Sequence, residues 1–202
     1  GWFHPNKLSN QSKLSELHGL YLPFLTFDAH ASGSWTGEAG YHYMESAQVM
    51  VNGRMEMRQV QRTRWEYRSG VIQEFLDDTL VLATNHLKED YERFISGYNL
   101  KELVNFDPRL LAGWEAEVYD RELMQSYERA EQSMRNILRY HAASALGGDT
   151  QRNLSIQVQF TQQSFKHVYL PLWIASFMYQ NKIYRFLING QTGKVYGNKP
   201  LS

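Results

Sequence analysis

The stretch 168–197 constrains this chain most, because it reads as a β-meander written without interruption. Two apolar, aromatic-rich runs, 168–179 and 182–188, are separated by Gln180-Asn181. A third short run follows the turn-forming string Asn189-Gly190-Gln191-Thr192-Gly193. Just before it, Leu154, Ile156, Val158 and Phe160 alternate with Ser155, Gln157 and Gln159, which is the period of a strand with one apolar face.

What should cover that face precedes it. Leu123, Tyr127, Ala130, Met134, Ile137, Leu138, His141 and Ala145 recur every three or four residues until Gly147-Gly148 stops the run, so the spacing predicts a long amphipathic helix over about 120–146. Trp173 falls in the middle of the most apolar run and is expected against this helix, in a core with Tyr169, Leu123, Tyr127 and Met134.

The N-terminal side reads as hairpins. Residues 1–19 form a polar entering arm. From Leu20 onward, Leu25, Phe27, Ala29 and Ala31 alternate with Thr26, Asp28 and His30, predicting a half-buried strand that Gly33 turns back. Asn52-Gly53 between alternating runs is a strong hairpin signal. Ser69-Gly70 then predicts a break, and 77–83 one more short strand. Leu87, Tyr91, Phe94 and Ile95 have helical spacing, and Asp107-Pro108 opens a brief helical turn through Leu110, Leu111 and Trp114.

The expected fold class is therefore α+β: antiparallel, hairpin-rich sheets with one long helix packed on a C-terminal β-meander. Residues 20–202 are expected as one domain. Tyr21-Leu22-Pro23 and Tyr169-Leu170-Pro171 each open an apolar run, which raises an internal duplication into halves 20–105 and 106–202 as an alternative.

Chemistry is sparse. With 21 Lys+Arg against 21 Asp+Glu there is no global field to attract nucleic acid or anionic lipid. With no cysteine, disulfides, thiolate zinc and a cysteine nucleophile are excluded within these residues. No apolar run approaches the roughly 20 residues that span a bilayer, so no membrane insertion by these residues is expected. The start at Gly1-Trp2-Phe3-His4-Pro5 reads as an excerpt of a longer protein.

Arg62, Arg64 and Arg68 share one strand face with Glu66 and could track a phosphate backbone. Trp65 and Tyr67 fall on the opposite face and Glu66 interrupts the basic row, so a solvated face is the expected reading. Asp28 and His30 point to one side of a strand and could orient a base or offer two metal ligands, which His18 or His42 would have to complete. His141 lies on the apolar stripe, where a hydrogen-bonded core histidine is expected. Gly147-Gly148-Asp149 and 189–193 lack the Lys-Ser/Thr ending and helix placement of a phosphate loop, and are expected to be turns.

Trp2-Phe3-His4-Pro5, Gly19-Leu20-Tyr21-Leu22-Pro23 with Phe27-Asp28-Ala29, the run 111–119, and above all Leu170-Pro171-Leu172-Trp173 with the run 188–195 carry a family resemblance. At these residues the chain resembles bacterial proteins with an N-terminal transcription-factor-IIB-like zinc ribbon, sometimes labelled primosomal (replication-restart) helicase-like. The resemblance implies ribbon cysteines upstream of these residues, and an association with membrane-scaffold proteins of the flotillin type or with membrane helices downstream. It supplies no catalytic residues, and the chain has no phosphate-binding loop or motor motif.

Together these readings predict a non-catalytic interaction or scaffold domain with a protein partner, cytoplasmic and membrane-associated only through flanking segments. No cofactor is expected here, zinc belonging to the upstream ribbon. The alternative is a nucleic-acid-associated module linked to replication or repair, and the third reading is a hydrolase using Asp28 and His30.

Overall fold

In a computed structural model, described for residues 13–51, 53–85, 97–179 and 182–197, the chain is dominated by strand, at 64% against 19% helix. This corrects the α+β expectation. The strands are β1 (Lys13–Val51), β2 (Arg54–Leu82), β3 (Glu115–Ala116), β4 (Thr150–Tyr179), β5 (Lys182–Asn189) and β6 (Val195–Gly197). Among the described residues one α-helix, α1 (Leu123–Leu146), accompanies them, with 3-10 turns at Leu100–Glu102 and Pro108–Leu111. The expected helix around Leu87, Tyr91, Phe94 and Ile95 lies outside the described residues, as does the motif at 2–5.

Strand order is β2-β1-β4-β5-β6, with β3 pairing parallel to β1 through Leu20 and Tyr21. β4, β5 and β6 form an antiparallel meander, Trp173 facing Ile188 and Leu187 facing Tyr196. Three strands are far longer than the usual 3–10 residues: β1 has 39, β2 has 29 and β4 has 30. Segments that the sequence divides at Gly33 and at Ser69-Gly70 are single strands. Gly33 does not turn the chain. It lets β4 approach, since a Cβ there would sit 1.9 Å from the Gln157 carbonyl oxygen.

Such long strands stay paired by absorbing extra residues. Gly40 lies beside Thr150 and Gly37 beside Leu154, so β4 advances four residues while β1 retreats three. Asn153, which lies between these two points, is in the left-handed region at φ 55°, the conformation a bulge residue adopts, and Gln162 and Asp78 share it at 50° and 52°.

The chain divides into two compact units. One takes residues through Phe27, 78–130 and those from 165 on; the other takes 28–77 and 131–164. Both draw on residues from either side of position 105. The first has a core of Leu20, Leu22, Phe24, Leu82, Val168, Leu170, Leu172 and Leu187. Residues 22–29 are all buried, so β1 is covered on both faces here instead of half-buried. Trp173 is only partly buried, and its ring neighbour is Trp114, 4.4 Å away, which in turn lies 5.1 Å from Tyr21. Tyr169 is partly buried against Tyr119, whose hydroxyl donates to the Val168 carbonyl at 3.0 Å and lies 3.3 Å from that of Phe24.

The helix buries a narrow stripe at every fourth residue: Ser126, Ala130, Met134, Leu138, Ala142 and Leu146. Met134 sits in it, and Tyr127 is half-buried at its side, edge-on to Phe27. Leu123, expected in the core, is 46% exposed because it opens the helix one position outside the stripe. Gly147 and Gly148, at φ 71° and 81°, end the helix; the Gln151 side chain donates to the Gly147 carbonyl and to the Ala143 carbonyl, which also accepts from the Gly147 N–H.

Candidate interaction surface

In the second unit, β1 and β2 form one antiparallel ladder whose register can be followed through side chains. The Gln59 amide donates to Ser46 Oγ at 2.7 Å, and His42 Nδ1 lies 3.0 Å from Thr63 Oγ1. Farther along, Trp35 meets Gly70 and the His30 ring lies 4.7 Å from Phe75. The same register carried to the turn at Gly53 places Met50 across from Met55 and Gln48 across from Met57.

Alternation then separates two unlike faces. One carries Met44, Met50, Met55 and Met57, with exposures of 61%, 73%, 59% and 62%, followed by Tyr67, Val71 and Phe75, all exposed. The other carries the charges. Segment 131–146 of the helix packs on that second face, where Leu146 fills the space beside Gly37, the His141 ring pairs with Glu74 at 2.7 Å, and Arg68 donates to the Leu146 carbonyl. His141 is therefore an exposed, carboxylate-paired histidine and not a core one.

Midway along the methionine face sits a polar clasp. Arg152 donates twice to Glu38, from Nε and Nη2 at 2.9 Å each, and its guanidinium lies 4.1 Å over the Trp65 ring. Asn153 donates to the same carboxylate at 2.6 Å. The Arg152 and Asn153 hydrogen bonds hold the Glu38 carboxyl below the usual carboxylate range.

The arginine row is not a basic groove. Arg62 Nε lies 3.2 Å from Glu45, Arg64 Nη2 2.8 Å from Glu66 and Arg68 Nη2 3.4 Å from Glu66. Two carboxylates, Glu45 and Glu66, lie beside the three cations, Glu66 serving two of them, which leaves a small net field for phosphate.

Asp28 and His30 do not share a pocket. Asp28 is buried and accepts from Ser164 Oγ at 2.9 Å, with the Asp77 carboxylate within 4.8 Å, whereas His30 is exposed on Phe75. His42 is engaged by Thr63, and its backbone N–H donates to Asp149, in the turn expected at 147–149. An open cleft of about 440 Å³ lined by Asn136, Arg139, Tyr140, Gln151 and Asn153 holds neither Asp28 nor His30.

The methionine face was not anticipated from sequence. Its signal was there in the alternation Met55-x-Met57 across a hairpin turn from Met50.

No family model matches the chain, and no solved structure matches it. It is similar to the protein named Uncharacterized protein YdjG of Bacillus subtilis (strain 168), at 24% identity over 205 residues. The match covers all of this chain and 57% of the relative, so the chain spans little more than half of the length of that protein.

Proposed function

We propose that this chain is a non-catalytic interaction domain whose contact surface is the methionine face of the β1–β2 hairpin. The observation that carries the reading is that face itself: Met44, Met50, Met55 and Met57 stand exposed on one side of a hairpin whose other side is charged. Exposed apolar side chains interleaved with the polar Ser46, Gln48, Gln59 and Gln61 suit a contact site, and methionine adapts its shape to a partner. The separate placements of Asp28 and His30 weigh against the hydrolase reading, and the acid-paired arginines weigh against nucleic acid.

In this reading the partner is a protein, and the zinc ribbon implied by the family resemblance lies outside these residues and supplies no cofactor to them. Among the described residues no helix is long and apolar enough to cross a membrane, so any membrane association comes from flanking segments or from the partner. Cytoplasmic work beside a membrane scaffold fits that arrangement.

The test is quantitative capture by the tagged full-length protein, wild type against Met50→Lys/Met55→Lys/Met57→Lys. A stoichiometric partner lost from the variant, with the thermal transition unchanged, supports the reading. An identical captured set from both proteins contradicts it.

A further inference from the structure

The distal part of the hairpin is incompletely paired. β4 begins at Thr150, beside Gly40, so among the described residues the ladder beyond Gly40 consists of β1 and β2 alone. Two strands by themselves are marginal in water. β2 also ends the strand order, so among the described residues no strand pairs with its outer edge. Side chains that bond directly across the ladder, Ser46 to Gln59 and His42 to Thr63, mark the closely spaced, non-hydrogen-bonded pairs. In such pairs the backbone N–H and C=O of residues 55, 57, 59, 61 and 63 point away from β1, toward the open edge.

The charges along that edge are ordered. Arg54, Glu56, Arg58, Arg62, Arg64, Glu66 and Arg68 all lie on one face. An antiparallel pairing of β2 with another β2 centred on Gln61 would set Glu56 against Glu66, Arg54 against Arg68 and Arg58 against Arg64, all repulsive. Centred on Val60, it would gain Glu56 with Arg64 and Arg54 with Glu66, each twice, but set Arg58 against Arg62 twice. Centred on Arg62, it sets Glu56 against Arg68 and Arg58 against Glu66, each twice by symmetry. The one like-charge meeting is then Arg62 with its own copy, and Arg62 already lies 3.2 Å from Glu45 of its own chain. On the opposite face the same register brings exposed Met57 against exposed Tyr67.

We propose that β2 is a self-association edge: two copies of this chain pair antiparallel about Arg62, joining two two-stranded hairpins into a four-stranded ribbon. The partner is thus a second copy, selected by charge complementarity in one register. The exposed ion pairs within β2, Arg58–Glu56 and Arg64–Glu66, are weak enough to share their carboxylates with a facing arginine. The arrangement is isologous and closes on itself, so a charged edge that would otherwise deter aggregation specifies a dimer. The pairing deepens the interaction reading by naming one partner and rests on it. Its test uses purified chain alone, so its failure is distinct from the loss of a captured protein.

The chain has no cysteine, so one introduced thiol reports its own symmetry-related neighbour. Arg62→Cys, Gln61→Cys and Val60→Cys are compared under mild oxidation, all at exposed or half-exposed positions. The expected result is a disulfide-linked dimer from Arg62→Cys, formed about tenfold or more faster than from the other two, because a non-hydrogen-bonded pair brings Cα atoms to about 4.5 Å. A second arm uses sedimentation. Wild type should be dimeric at about 0.1 mM, Glu56→Arg and Arg68→Glu each monomeric, and their equimolar mixture dimeric again, because like charges across an interface are costly and the swapped pair restores both contacts. A wild-type monomer at that concentration, a mixture that stays monomeric, or cross-linking that does not peak at position 62 overturns the proposal.

Discussion

Trp35 lies across the β1–β2 ladder from Gly70 with its indole over the glycine, so close that a Cβ at position 70 would meet the ring at 2.5 Å. Gly33 is tighter still, because the atom in the way is the backbone oxygen of Gln157 at 1.9 Å. A ring can shift; a paired strand cannot. Gly33→Ala should therefore cost about 3 kcal/mol or more, and Gly70→Ala about 1–2 kcal/mol. Urea denaturation of both variants checks the order.

Ionisation should mark both ends of the pH range. Glu38 is held below the ordinary carboxylate range, first by its hydrogen bonds from Arg152 and then by that from Asn153. A lowered folded-state value contributes stability above the unfolded value of about 4.3, lost as pH falls through the folded one. Glu38→Gln should flatten the acid limb of a Tm–pH curve. Burial pushes the Tyr98 and Tyr119 hydroxyls above the ordinary tyrosine value, so their contribution is complete below about pH 10 and lost as pH rises further. Tyrosinate absorbance should show these two ionising only together with alkaline unfolding.

Core substitutions should rank by burial. Leu170, 2% exposed, should cost about 3 kcal/mol or more as Leu170→Ala, and Met134→Ala a similar amount. Trp173, partly buried against Trp114, should cost about 2 kcal/mol as Trp173→Ala, below the range of about 3–5 for a fully enclosed tryptophan. Leu123→Ala should stay near 0.5 kcal/mol, as expected of roughly that size for surface sites.

Nucleic acid should bind feebly. With acid partners beside Arg62, Arg64 and Arg68, affinity for single- or double-stranded DNA should vanish near physiological salt. A mobility-shift titration from low to physiological salt checks this, and a salt-resistant complex would restore the arginine row as a site.

The comparison of sequence with structure turns on glycine and on helical pitch. The end of the long helix at Gly147-Gly148 and the turn at 189–193 were legible because their residues leave the chain no alternative. Gly33 and Gly70 were misread as breaks because a glycine that admits a neighbouring strand or ring has the same sequence signature as one that turns. That confusion divided strands of 39 and 29 residues into short hairpins, whereas the α+β expectation came from weighing the one long helix equally with the sheets. His141 and Ala145 fit a 3.6-residue period, but the buried stripe steps by four, so both fall outside it. The Met55-x-Met57 alternation across the turn from Met50 was legible, but that this face stays exposed was not, because the helix reaches the opposite face through distant packing and not through local pattern.

The most direct measurement is site-specific photo-cross-linking in the protein's own cells, with the reactive group placed at Met57 or at Met124. Both side chains are exposed, at 62% and 66%, but Met124 lies on the helix and belongs to the other compact unit. If the hairpin face is the contact surface, Met57 gives one or a few discrete adducts and Met124 gives none. Equal adducts from both positions, or none from Met57, would contradict it.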